Sequence, residues 1–102
     1  MTRAIILTRR AEAQLDALEL YIAREADAAT AEAYVDRIVA RCEVIGDVPR
    51  GGRPRADLGR SYRSVPFERS ATIVYRLTKN AVVISGVFYG GQDIARRLRS
   101  KR

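Results

Sequence analysis

The amino-acid sequence predicts an α+β fold: an N-terminal strand, an α-helical hairpin packed on a mainly antiparallel sheet that three C-terminal strands complete, and a short C-terminal helix. Two observations support this prediction. Two consecutive segments of the N-terminal half have helical periodicity, and three strand-like segments follow one another in the C-terminal half. The length of 102 residues is near the commonest domain size, so we expect residues 1–102 to form one domain.

The N-terminal half begins with a short apolar strand candidate at residues 3–7, followed by Thr8, a favourable helix N-cap. A first helix is predicted over residues 9–25. Asp27 is placed to cap a second helix that ends near Gly46, since glycine commonly terminates helices. The apolar positions recur at helical spacing: Ala11, Leu15, Leu18 and Ile22 in the first helix, and Ala31, Tyr34, Val35, Ile38, Cys42 and Ile45 in the second. We therefore expect each helix to bury one stripe and the pair to form an antiparallel hairpin.

The C-terminal half begins with residues 48–59, a segment rich in glycine and proline that predicts a loop. Three strands are predicted after it, at about residues 61–66, 72–78 and 81–89. The last of them is apolar on both faces, which is typical of a central strand, and Lys79 and Asn80 before it indicate a tight hairpin. Residues 92–102 are expected to form a short basic helix or tail, for which Asp93 is a candidate cap.

Basic residues are concentrated in the C-terminal half. Residues 1–49 hold six arginines and nine acidic residues, a net charge of −3, whereas residues 50–102 hold 13 basic and three acidic residues, a net charge of +10. The predicted loop and the sheet face turned away from the helices are expected to carry Arg53, Arg55, Arg60, Arg63, Arg69 and Arg76. Guanidinium groups suit carboxylates and phosphates, so we expect an acidic or polyanionic partner. The alternative is a solvated basic surface that keeps the protein soluble.

The residue types argue against most kinds of enzyme site. The chain has no histidine, which removes the commonest general base, histidine-based nucleophile pairs and most zinc sites. Its single cysteine, Cys42, lies on the apolar stripe of the second predicted helix and is expected to be a buried structural thiol. The acidic residues of the C-terminal half are scattered singly, so we expect no metal, no cofactor and no catalytic residue. One cysteine and no long apolar segment favour a reducing cytoplasm.

Several phrases of the sequence resemble, in order, those of the ParE/RelE toxin superfamily, and of its ParE branch above all. They are Arg10-Ala11-Glu12-Ala13-Gln14-Leu15, Ala33-Tyr34-Val35-Asp36-Arg37-Ile38, Pro49-Arg50-Gly51-Gly52-Arg53-Pro54-Arg55-Ala56-Asp57-Leu58, Arg63-Ser64-Val65-Pro66, Ile73-Val74-Tyr75-Arg76 and Gly86-Val87-Phe88-Tyr89-Gly90-Gly91-Gln92-Asp93. The third phrase, a version of the family's P-x-x-G-R-P-R-x-D-L loop, is the most distinctive. The resemblance covers nearly the whole chain and implies a RelE/ParE-like fold.

The resemblance also implies a function. It indicates the bacterial toxin of a type II toxin–antitoxin system, which inhibits DNA gyrase without chemistry of its own and is neutralised by a ParD-like antitoxin in a hetero-oligomer. The alternative is the activity of RelE-like relatives, which are ribosome-dependent endonucleases of messenger RNA. That branch usually has lysines in the loop before the sheet and a tyrosine in the last helix. Here the loop has Arg50, Arg53 and Arg55 but no lysine, and residues 92–102 have no tyrosine. These departures favour the gyrase inhibitor.

Two sets of residues are predicted to contact partners. The antitoxin is expected to bind Leu18, Tyr21, Ile22, Arg63, Arg69 and Arg76. The target is expected to bind Arg53, Arg55, Tyr89, Arg96 and Arg97. The alternative for the apolar antitoxin residues is ordinary core, for the arginines a solvated surface, and for Tyr89 a half-buried strand aromatic. A third class of function, a small basic nucleic-acid-binding module, is disfavoured because the chain has only seven aromatic residues and no tryptophan.

Overall fold

The computed structural model describes residues 2–90 and 94–99, apart from the side chains of Arg97 and Arg99. The elements are β1 (Ala4–Leu7), α1 (Arg9–Glu25), α2 (Ala28–Asp47), β2 (Arg53–Pro54), β3 (Tyr62–Phe67), β4 (Ala71–Leu77), β5 (Ala81–Tyr89) and α3 (Ile94–Arg99). The predicted α+β fold is confirmed: a helical hairpin packs on a mixed sheet, and a short helix follows the last strand. No helix among the described residues is both long and apolar enough to cross a bilayer.

The strands of the described residues form one five-stranded sheet in the order β1-β5-β4-β3-β2. β5 pairs in parallel with β1 and antiparallel with β4, and the remaining neighbours are antiparallel. The strand that is apolar on both faces is therefore central, as the sequence predicts. The hairpin before it is also confirmed, since the amide of Thr78 donates to the carbonyl of Ala81 at 2.9 Å across Lys79 and Asn80.

The predicted caps of the first two helices are present, whereas the candidate cap Asp93 lies outside the described residues. The hydroxyl of Thr8 accepts a hydrogen bond from the amide of Ala11 at 3.1 Å, and the carboxylate of Asp27 accepts one from the amide of Thr30 at 2.6 Å. The predicted stripes form the core: Ala11, Leu15, Leu18, Ala31, Tyr34, Ile38, Cys42 and Ile45 are buried, while Ile22 and Val35 are half-buried. The helices thus cover the sheet face that carries Ile73, Tyr75, Val82 and Ile84.

Gly46 does not stop the second helix, which corrects the sequence interpretation. It lies inside α2, which continues to Asp47, and it is buried. A Cβ atom at this position would approach both the Arg3 carbonyl oxygen and Ile5 Cδ1 to 2.9 Å. The Arg3 amide also donates to the Gly46 carbonyl at 2.9 Å. The glycine is thus required because the start of the chain packs directly on the last turn of α2.

The segment predicted as a continuous loop, residues 48–59, contains the edge strand β2. Arg53 pairs with Ser64 and Pro54 with Arg63. Two residues are too few to show the alternation by which strands are recognised, and proline occurs in sheets mainly at edges because it lacks an amide hydrogen. The glycines and prolines that predict a loop therefore do not reveal the short strand within it.

The predicted placement of Arg63 on the sheet face away from the helices is wrong. Directly opposite residues of antiparallel strands point to the same face, and Arg63 lies opposite Tyr75, which belongs to the core. Arg76 does lie on the face away from the helical hairpin, which we call the second face. This face is not the open surface expected, because it also holds Val74 and Phe88, and both are buried.

Candidate functional site

A buried phenol fixes the loop that carries the distinctive arginines, residues 49–55, which we call the arginine loop. The side chain of Tyr75 is 0% exposed. Its hydroxyl donates to the carbonyl of Pro49 at 2.8 Å and accepts from the amide of Gly52 at 3.0 Å. Burial raises the pKa of Tyr75, so the phenol keeps its proton at neutral pH. A Cβ atom at position 52 would overlap the Tyr75 hydroxyl, and only glycine can bring its amide this close.

Arg63 holds the same stretch of backbone from β3. Its Nη1 donates to the carbonyl oxygen of Arg50 at 2.9 Å and to that of Gly52 at 2.7 Å. With the two bonds of Tyr75, four side-chain hydrogen bonds fix residues 49–52 on the sheet. The side chains of Arg50 and Arg53 remain exposed. The loop is thus a cationic surface with a fixed backbone.

Arg55 differs from the other arginines of the loop because its charge is paired. Its Nε and Nη2 donate to the two oxygens of Asp57 at 2.9 and 2.8 Å, a bidentate arrangement. This pair raises the pKa of Arg55 and lowers that of Asp57. The side chain of Arg55 is only 21% exposed. Arg55 is therefore paired at the end of the loop, and the exposed positive charges of the loop belong to Arg50 and Arg53.

An aromatic patch lies where the helical hairpin meets the ends of β3 and β5. It consists of Tyr21, Tyr34, Phe67 and Tyr89. The ring of Tyr34 meets that of Phe67 edge to face at 5.4 Å and that of Tyr89 at 6.3 Å. Tyr21 lies 5.9 Å from Tyr89, between centroids, and is 50% exposed. The half-exposed ring of Tyr21 thus gives the patch an exposed aromatic surface.

Charged residues border the aromatic patch on the side of α2. The guanidinium of Arg37 lies 5.4 Å from the centroid of the Tyr34 ring and donates to Glu68 at 2.8 Å. The hydroxyl of Tyr34 is 2.6 Å from that of Ser70 in the turn between β3 and β4. Arg69 is exposed in the same turn. The patch therefore combines exposed apolar area with a charged rim.

The ionisable groups whose pKa the fold shifts all move away from neutrality. The pKa is lowered by hydrogen bonds at Asp27, Asp57 and Glu68, raised by burial at Tyr34, Tyr75 and, to about 11, Cys42, and raised by hydrogen bonds to carboxylates at Arg37 and Arg55. A general acid or base works best with a pKa near the operating pH. None of these groups is therefore tuned for proton transfer at pH 7.

Comparisons with known proteins agree with this geometry. A family model described as "ParE toxin of type II toxin-antitoxin system, parDE" matches residues 5–94. The chain belongs to the ParE toxin family. A solved chain from the "Chromosomal ParDE TA system from P. aeruginosa" has the same fold, with a TM-score of 0.77 over 88% of this chain and 98% of that one, at 21% sequence identity. A comparison with curated protein sequences found no significant match.

In this ParE-family toxin the residues predicted to bind an antitoxin are not brought together as one surface. Leu18 is a core residue, 6% exposed, and Ile22 packs half-buried against the same core, so these two follow the alternative interpretation. Tyr21 is exposed in the aromatic patch. Arg69 is exposed at the turn after β3, whereas Arg76 is half-buried on the second face. Of this set Tyr21 and Arg69 are the residues open to a partner near the patch.

The residues predicted to bind the target of the ParE-family toxin are also dispersed. Arg53 is exposed on β2, and Arg55 is held by Asp57 beside it. Tyr89 is half-buried and lies in the aromatic patch next to Tyr21, so one surface holds residues that the sequence assigned to two different partners. Arg96 is exposed on α3. The side chain of Arg97 lies outside the described residues.

The sequence analysis of this ParE-family chain missed three features of the site. Leu20 is exposed on α1, and this exposure could have been predicted because the residue lies off the apolar stripe. The role of Tyr75 in holding the arginine loop was not predicted, although an aromatic residue with a hydroxyl usually finds a partner when buried. Arg9 lines a cavity of the second face together with Arg76, which no spacing along the chain indicates.

Proposed function

We propose that this toxin acts by binding DNA gyrase and that a ParD-like antitoxin with an acidic segment neutralises it in the bacterial cytoplasm. The arginine loop is the observation that carries the proposal. Tyr75 and Arg63 fix its backbone through four hydrogen bonds, and Arg50 and Arg53 remain exposed on it. A pre-organised cationic surface loses little conformational entropy on binding and steers acidic partners to it.

The direction of the pKa shifts favours binding over RNA cleavage. Buried phenols, the thiol and the paired guanidinium groups keep their protons more strongly than in water, and the paired carboxyls lose theirs more readily. Arginine is a poor proton shuttle, since its pKa lies above about 12. The arginine loop has no lysine and α3 has no tyrosine, which are the groups that RelE-like nucleases usually supply. These observations support a toxin without chemistry of its own.

A DNA supercoiling assay tests the gyrase proposal. We expect micromolar wild-type toxin to block supercoiling and to accumulate cleaved DNA. Arg53→Ala should weaken inhibition roughly tenfold, the effect of removing one well-placed interface charge. Arg41→Ala, which removes an exposed arginine from α2, is the control of equal charge and should inhibit like the wild type. Unaltered supercoiling refutes the proposal, and codon-positioned cleavage of ribosome-bound messenger RNA establishes the nuclease alternative.

The aromatic patch is the part of the surface that best fits the antitoxin. The half-exposed ring of Tyr21 offers an apolar surface to the apolar face of a helix, and Arg69 nearby offers a charge to its carboxylates. Such pairs of arginine and carboxylate contribute mainly specificity and speed of encounter. The surface thus suits an acidic amphipathic segment.

Co-purification with the product of the neighbouring open reading frame tests this partnership. We expect Tyr21→Ala to raise the Kd of the complex by about tenfold or more, because exposed tyrosines are frequent hot spots. Val44→Ala is the matched control, since Val44 is 51% exposed on the other helix, and it should leave the Kd within about twofold. The absence of any complex with the wild-type toxin would rule out the partnership.

A further inference from the structure

The second face of the sheet holds a cavity of about 400 Å³ between the start of α1, strands β3 to β5 and α3. Its lining residues are Thr8, Arg9, Arg10, Tyr62, Arg76, Val83, Ser85 and Leu98. Tyr62 lies directly opposite Arg76 on the neighbouring strand, and Val83 lies opposite it on the other side. Arg10 donates to the carbonyl of Leu98 at 2.8 Å, which joins α1 to α3 beside the cavity. Five segments of the chain thus meet here.

The charge of the cavity is unbalanced. None of the described residues that line it is acidic, and three are arginines. Arg76 is half-buried, with the neutral Tyr62 and Val83 on either side. Within the described residues neither Arg9 nor Arg76 forms an ion pair. A cation that is partly removed from water is stabilised by an anion placed against it. The part of the cavity formed by the described residues is therefore suited to bind an anion.

The hydrogen-bonding groups of the cavity narrow the choice of ligand. The hydroxyl of Thr8 already accepts from the amide of Ala11, and that of Ser85 donates to the carbonyl of Val83 at 3.2 Å. The guanidinium groups of Arg9 and Arg76 and the phenol of Tyr62 are the groups left to contact a ligand. Guanidinium groups only donate, so the ligand must be an acceptor.

We propose that Arg9, Arg76 and Tyr62 form a binding site for a phosphate group of a nucleic-acid backbone. The two arginines come from different elements, α1 and β4, and line the same cavity. A tetrahedral phosphate presents oxygens in several directions, whereas one arginine fork satisfies a planar carboxylate. The net charge of +10 over residues 50–102 favours a polyanion that continues beyond the site. The inference goes beyond the proposed function, because it concerns direct contact with nucleic acid whether or not gyrase is the target.

Fluorescence anisotropy with labelled single-stranded and duplex DNA tests the site, using the full chain at several salt concentrations. The double variant Arg9→Ala and Arg76→Ala is compared with Arg24→Ala and Arg41→Ala, which removes two exposed arginines from α1 and α2 and so leaves the same net charge. We expect the first to lose affinity about tenfold or more and the second about twofold or less. The slope of log K against log salt should also become shallower, by about one unit more in the first double variant than in the second.

Four results would overturn the proposal, the last of them in a further variant. The first is an equal loss of affinity in both double variants, which would show that DNA binds to the overall positive charge and not to this site. The second is no measurable DNA binding by the wild-type chain. The third concerns polyglutamate, a polymer of carboxylates. If the double variant Arg9→Ala and Arg76→Ala loses binding to polyglutamate while its DNA binding is unchanged, the site binds carboxylates and not phosphates. Because Arg76 is half-buried, Arg76→Lys is measured as well. It keeps the charge but not the fork, so a folded Arg76→Lys variant should bind DNA more weakly than the wild type. Wild-type affinity in that variant would equally contradict the proposal.

Discussion

The hydroxyl of Tyr75 is expected to be one of the most important single groups for the stability of this toxin. Tyr75→Phe removes the donor to the Pro49 carbonyl and leaves the buried amide of Gly52 without its acceptor. Loss of an ordinary hydrogen bond costs about 1 kcal/mol, and an unpaired buried donor costs about 1–3 kcal/mol. We therefore expect the free energy of unfolding to fall by about 2–3 kcal/mol. In a domain of this size the thermal midpoint should fall by roughly 10 °C or more.

Urea and thermal unfolding followed by circular dichroism measure this change. Tyr21→Phe is the control, because it removes a phenol hydroxyl from a half-exposed ring and should alter stability by less than about 0.5 kcal/mol. Hydrogen exchange of the Gly52 amide then shows whether the loop itself has loosened. If Tyr75→Phe is as stable as the control, the hydrogen bonds of Tyr75 do not hold the arginine loop.

Three further predictions follow from burial and charge. The pKa values of Asp27, Asp57 and Glu68 are lower in the folded protein than in the unfolded chain, so the unfolded chain binds more protons between about pH 3 and 5. The thermal midpoint should therefore fall as the pH drops from about 5 to 3. Glu68→Gln should make this fall smaller, because the variant lacks one of the three carboxyl groups. Cys42 is 3% exposed and its pKa is raised to about 11, so a disulfide reagent at mildly alkaline pH should label it in denaturant but not in the native protein; rapid native labelling would contradict its burial. Ile38→Ala should cost about 2–5 kcal/mol in urea unfolding because Ile38 is fully buried, whereas Val39→Ala on the exposed side should cost less than about 0.5 kcal/mol, and equal costs would refute the assigned helix face.

The elements with strong periodicity were predictable from the sequence. Leu15 and Ile38 recur with their neighbours at helical spacing, and both are buried where that spacing places them. Thr8 and Asp27 cap the helices because their side chains reach back to nearby amides, which is a local property. Such features depend on residues close in sequence, so local sequence patterns are sufficient to predict them.

The remaining features depend on contacts between distant segments. From the sequence Gly46 predicts the end of a helix, yet in the structure it is needed for the close approach of Arg3 and Ile5 to α2. The face on which Arg63 lies depends on its pairing with Tyr75, which the sequence of β3 alone does not specify. The cavity beside Arg76 forms only when the start of α1 reaches the sheet. These relations arise from the tertiary structure, so local patterns could not predict them.

The central position of β5 determines when this molecule can become functional during its synthesis. Strand β1 is made first, but residues 4–7 pair with residues 81–84, and β4 pairs with the same strand on its other side. A nascent chain that has not reached residue 89 lacks the strand that joins the two parts of the sheet. Contacts so distant in sequence form late and slowly. The ParE-family chain can therefore complete its sheet, and the surfaces built on it, only after residue 89 has been synthesised.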